Sequence, residues 1–130
     1  MLGQASQKTV LRLGKMFNFE KLTVYQRSLI LATNLSRVAG GFPLKYRRIQ
    51  DQLIGAAISV TLNIAEGSGR YGKREKIQFY RTAQASAFEI IPILEICDNL
   101  NLLKKNEWAG EVEEICKMLS SLIKKLSTSE

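Results

Sequence analysis

From Leu22 onward the apolar positions recur at intervals of three and four, the spacing of one helix face, and no stretch alternates apolar and polar residues as a half-buried strand would. The first run, over about 20–39, places Leu22, Tyr25, Leu29, Ala32 and Leu35 on one face. Gly40-Gly41 is expected to stop it through positive φ, and Pro43 to set the turn into the next element. A second run begins near Leu44 and turns Ile49, Leu53, Ala56, Ala57, Val60 and Ile64 inward. Small residues in its middle, Gly55, Ala56, Ala57 and Ser59, leave room for another helix to approach closely. The stretch Gly67-Ser68-Gly69-Arg70-Tyr71-Gly72 then reads as a turn.

A third helix is predicted from Lys73 to Asn101, bent at Pro92 but not broken there, because the apolar pattern continues through Ile93, Leu94 and Cys97. It carries two apolar tracks, one through Phe79, Ala83, Ile90, Leu94 and Cys97, the other through Ile77, Tyr80, Ala87 and Ile91. One bundle core needs less, so the surplus is either a subunit interface or the mark of a helix buried on two sides. A fourth helix, N-capped by Asn106, carries Trp108, Val112, Ile115, Leu119, Leu122 and Leu126 as its stripe. Its glutamates (Glu107, Glu111, Glu113, Glu114) come first and its lysines (Lys117, Lys124, Lys125) last, the order the helix dipole favours.

Four helices with short connections predict an all-α fold, an antiparallel up-down-up-down four-helix bundle. Residues 16–130 form that domain. Residues 1–15 lack the apolar density of a packed helix and read as a flexible N-terminal extension, with Met16 as an alternative start.

Composition narrows the class further. A chain of 130 residues with 45% hydrophobic residues can bury one core without disulfides or metal. Histidine is absent, which excludes Ser-His-Asp and Cys-His catalysis and any metal site that needs imidazole. Cys97 and Cys116 stand far apart, outside any CxxC motif, and read as buried free thiols of a reducing cytoplasm. The longest uncharged run, Gln52 to Ala65, is too short and too polar to cross a bilayer, so no membrane partner is expected. The net charge of +7 is unevenly spread: residues 1–81 hold 14 basic against 4 acidic side chains, and residues 82–130 hold 5 against 8. Such a field attracts polyanions, nucleic acid or acidic protein first, with an anionic membrane surface a weaker third.

The densest basic segment is Arg70, Lys73, Arg74, Lys76 and Arg81, interleaved with Tyr71, Gln78 and Tyr80. Arg74, Gln78 and Arg81 fall at i, i+4 and i+7 and share a helix face beside the amides that open helix 3, where phosphate is also favoured. Arginine grips phosphate bidentately and tyrosine stacks on bases, so these residues, with Lys45, Arg47 and Arg48 at the start of helix 2, are the candidate nucleic-acid-binding set. The plain alternative is a solvated charged face. Glu66 lies where the helix dipole disfavours an anion, so a neighbouring cation or the helix 3 amides should compensate it, making it a clasp between helices. Joined with Asn63 and Glu89 it could instead form a carboxylate pair, a weak signal without histidine. No Gly-Lys-Ser/Thr follows the glycines, so no Walker loop is present.

Phe19-Glu20-Lys21-Leu22, Val24-Tyr25-Gln26, Gln52-Leu53 and Asn63-Ile64-Ala65-Glu66-Gly67 with Gly69-Arg70 together resemble the four-helix-bundle family named after the protein encoded in intervening sequences of bacterial 23S rRNA genes. The resemblance spans about residues 17–126; Asn63, Glu66 and Gly67 of its motif, together with Glu89 on helix 3, read as structural positions. It implies a small bundle assembling into a ring, a homopentamer, whose basic surface binds nucleic acid, in a family not known for catalysis. Related bundles act as accessory proteins of diversity-generating retroelements, beside a reverse transcriptase and its template RNA. Ala85-Ser86 stands where Gly-Ser is common in that family, which bears on helix packing there. The expectation is a non-enzymatic, homo-oligomeric nucleic-acid-binding protein, RNA favoured over DNA, without cofactor or metal. The alternative is an adaptor for a protein partner such as a reverse transcriptase.

Overall fold

The computed structural model describes residues 22–128, and the extension expected over 1–15 lies outside them. The described residues form four α-helices and no strand: α1 (Thr23–Ala39), α2 (Arg47–Ser68), α3 (Lys73–Asn99) and α4 (Ala109–Thr128), with single 3-10 turns at Leu44–Tyr46 and Lys105–Glu107. α1 packs on α2 and α4, α2 on α3, and α3 on α4. All four contribute to one core, in which Leu35, Leu53, Ile64, Ile90, Leu94, Ile115 and Leu119 are fully buried. Removing a side chain of this size from such a site typically costs about 2–5 kcal/mol, so the core is what holds the helices in place. Among the described residues Ser28 and Thr61 are the buried polar ones, and they form one chain: the Thr61 hydroxyl donates to Ser28 Oγ (3.1 Å), which donates to the Tyr25 carbonyl (2.8 Å).

The predicted inward faces hold for α2 and α4, but α1 is rotated. Its buried residues are Val24, Ser28, Leu31, Ala32, Leu35 and Ala39, whereas Tyr25 is half-buried and Leu29 exposed. Two overlapping three-and-four patterns run along this helix, and contact with both α2 and α4 selects the one centred on Leu31 and Leu35.

The helix ends depart from expectation in three places. Gly40 closes α1 at φ −59° and none of the described glycines has positive φ; its N–H simply donates to the Ser36 carbonyl (2.9 Å) in a tightened last turn. α3 ends at Asn99, two residues early, and the left-handed residue is Asn101 at φ 59°. The Asn101 N–H donates to Asp98 O and the Leu102 N–H to Cys97 O, both 2.9 Å, which is the Schellman closure that asparagine tolerates. α4 starts at Ala109 rather than after Asn106, which lies within the Lys105–Glu107 turn. The carboxylate of Asp98 accepts from the Lys105 N–H (2.8 Å) and anchors that turn.

α3 passes through Pro92 as one continuous helix. Tyr80, Ala83, Ala87, Ile90, Leu94 and Cys97 are buried inside the chain, and Ile77, Phe79 and Ile91 half-buried. Most of both apolar tracks is therefore taken up by α3's own neighbours within the chain. The side chains of α3 that stay outside are others: Ala85, Phe88, Pro92 and Ile96 form an exposed apolar stripe.

Candidate nucleic-acid interface

The turn joining α2 to α3 is built around one close contact. A Cβ on Gly67 would lie 2.9 Å from the Tyr80 ring and 3.0 Å from Phe79 Cβ, so only glycine lets α3 come this near. The Tyr80 ring is buried over it, and its hydroxyl lies 2.9 Å from Ser68 Oγ, which donates to Ile64 O (2.9 Å). Burial pushes the Tyr80 phenol above its ordinary pKa, an effect the Ser68 hydrogen bond partly offsets. Asn63 is bound one turn earlier, its amide donating to Ser59 O (2.8 Å) and Ser59 Oγ (3.1 Å). The Asn63 bonds and the close contact at Gly67 are internal to this corner.

Two of the predicted binding residues make contacts within this turn. Lys76 Nζ reaches the Ser68 carbonyl at 3.1 Å and the Gly67 carbonyl at 3.4 Å, capping the negative end of α2. Arg70 pairs with Glu66 at 2.8 Å, lies 3.8 Å from Glu75, and has its guanidinium over the Phe79 ring at 4.8 Å. The Glu66–Arg70–Glu75 chain spans the end of α2 and the start of α3, as the clasp reading requires. All three side chains are at least two-fifths exposed, so the pairing orients Arg70 more than it stabilises the fold. With Glu66 and Glu75 engaged by Arg70, Arg74 and Arg81 are left exposed and without an ion pair among the described residues; they line one face of α3 with Gln78. Lys73 is exposed and makes an interaction of its own.

The remaining predicted residues lie elsewhere. Lys45, Arg47 and Arg48 sit at the opposite end of α2, a helix of 22 residues and so about 33 Å long. Lys45 Nζ rests 5.2 Å from the centre of its neighbour's ring, Tyr46. Arg47 and Arg48 border a groove of about 760 Å³ between α2 and α3, whose lining includes Asp51, Ser59, Ser86 and Glu89. Two carboxylates and two guanidiniums line the same groove, so its lining is close to neutral, unlike the α3 face. Glu89 belongs to this groove and Glu66 to the clasp, so the carboxylate-pair reading gains no support. Among the described residues no cluster of three acidic or cysteine side chains could hold a metal ion.

The groove itself was not foreseen. Its signal was the small-residue stretch of α2, read as a helix contact along its whole length. Ser59 is such a contact, its hydroxyl 2.8 Å from Ser86 Oγ, but Gly55 faces open space and borders the groove. Ala85 points outward, so its methyl does not sit in the helix contact that a Gly-Ser pair would relax. Cys97 and Cys116 are free and buried as expected, and burial raises both thiol pKa values, with Glu113 adding to the effect at Cys116. No described helix is long and apolar enough to cross a membrane.

A family model described as 23S rRNA-intervening sequence protein matches residues 20–121. A comparison with curated proteins finds no match.

Proposed function

The chain belongs to the 23S rRNA-intervening sequence protein family, and from that membership we propose that it is a non-enzymatic, homo-oligomeric cytoplasmic protein that binds nucleic acid, RNA before DNA. The observation that carries the proposal is the free pair Arg74 and Arg81 on one exposed face of α3, next to a corner whose carboxylates are already engaged. Phosphate contacts of this kind need neither a pocket nor base readout, so binding is sequence-tolerant. The arrangement proposed is an antiparallel bundle. In its support, moving along α2 from Ser59 to Ser68 moves the partner on α3 backwards, from Ser86 to Tyr80.

Five copies in a ring would carry +35 from a chain of +7, and weak contacts repeated around it would add through avidity. Exposed apolar residues support assembly: Phe88, Pro92 and Ile96 on α3, and Leu29, Ile58 and Leu62 beside a groove of about 450 Å³ between α1 and α2. The same α1–α2 groove favours the second reading, an adaptor docked on a protein such as a reverse transcriptase.

The test is binding of an RNA fragment as salt is raised, with mass in solution measured alongside. Affinity falls steeply with salt, and the double variant Arg74→Glu, Arg81→Glu lowers it by on the order of tenfold or more while helical content stays intact. Salt-independent binding, or a stable monomer with no affinity for RNA, overturns the proposal. A protein contact that survives nuclease treatment favours the adaptor.

A further inference from the structure

We propose that Tyr71 is a stacking platform for an unpaired base, so that the basic corner takes single-stranded segments of nucleic acid in preference to duplex. The proposal rests on the nucleic-acid reading above and specifies the form of strand that the site accepts.

Of the four tyrosines in the chain, Tyr25 and Tyr46 are half-buried and Tyr80 is buried, each packed on its own fold. Tyr71 is 102% exposed. It occupies the four-residue link 69–72 between α2 and α3, with Gly72, which has no side chain, beside it. The adjacent cation does not cover the ring, because the Arg70 guanidinium lies over Phe79 and pairs with Glu66.

An exposed aromatic ring standing alone needs no explanation, but this one is not alone. Arg74 follows three residues later on the first turn of α3, and Arg81 lies about 10 Å further along the same helix face. Flat ring and free guanidiniums together match the two halves of a nucleotide, a base to stack on and phosphates to neutralise. Duplex offers only the second half, since its bases are already stacked and its grooves are read by elements that insert into them. A single strand offers both. Because every base has a π-face, the preference that results is for strand form and not for sequence.

The experiment measures binding of the full chain to a labelled single-stranded RNA of mixed sequence and to the same RNA annealed to its complement, at one salt concentration. The wild type binds the single strand more tightly. Tyr71→Ala lowers single-strand affinity about tenfold and leaves duplex affinity unchanged, while Tyr71→Trp retains the preference. An equal loss on both forms, no loss on either, or a wild-type preference for duplex overturns the role of Tyr71 and leaves the phosphate-binding reading standing. Binding to neither form overturns both. Since Tyr71 is fully exposed among the described residues, its variants keep the wild-type circular dichroism, and any change in affinity reports on the surface.

Discussion

The two ends of α2 are built from similar residues and behave in opposite ways. At the C-terminal end Gly67 lies against Tyr80, Lys76 caps the last carbonyls, and Arg70 is held between two glutamates. Toward the N-terminal end Gly55 faces open space, and Arg47 and Arg48 border a groove shared with Asp51 and Glu89. The difference teaches that neither a glycine nor an arginine has a role that its identity alone decides. One glycine is required by a contact and the other is not, and arginines are either paired within the fold or left exposed according to which carboxylates lie within reach.

This contrast can be broken by substitution. Gly67→Ala carries the largest expected effect: the overpacking cost of about 1–3 kcal/mol exceeds the gain of up to about 1 kcal/mol from alanine's better helix propensity. Chemical denaturation of the full chain should show a net loss of about 1 kcal/mol or more; a gain would mean that Tyr80 moves aside freely. Lys76→Met comes next, with a loss of about 1 kcal/mol from the uncapped carbonyls. It also separates structure from binding, because affinity for RNA should change much less than in the Arg74 and Arg81 variants. Gly55→Ala is the smallest and of opposite sign. With nothing near the added methyl, it should raise stability by roughly 0.5–1 kcal/mol, read as a shift of the denaturation midpoint at unchanged slope.

Most of the helical architecture was legible in the chain. α2, α3 and α4 announce themselves because Gly67–Gly72 and the Leu100–Asn106 stretch interrupt long three-and-four patterns, and their inward residues follow from those patterns. The inward face of α1 was less legible because Val24, Leu31 and Leu35 compete with Tyr25 and Leu29, and only the neighbours decide between them. The candidate site was readable as composition but not as allocation. The i, i+4, i+7 spacing of Arg74, Gln78 and Arg81 correctly placed them on one face. That Lys76 would turn back to Ser68, and that Glu75 would join Glu66 on Arg70, depends on the angle at which α3 leaves the turn. That angle is set by the Gly67–Tyr80 contact, a tertiary fact with no periodic signature. Lys45, Arg47 and Arg48 were grouped with the corner by charge, although the length of α2 keeps them at its far end.

The corner clasp has a thermodynamic consequence for any ligand. Tyr80 over Gly67 and Lys76 on the α2 carbonyls hold the start of α3 in place before anything binds, so Arg74 and Arg81 are presented from a set base. Association then forfeits the freedom of two side chains rather than that of a folding loop, a cost of about 0.5–1.5 kcal/mol for each one immobilised. A strand arriving there meets a surface already set to receive it, and the loss of the strand's own flexibility becomes the larger entropic term.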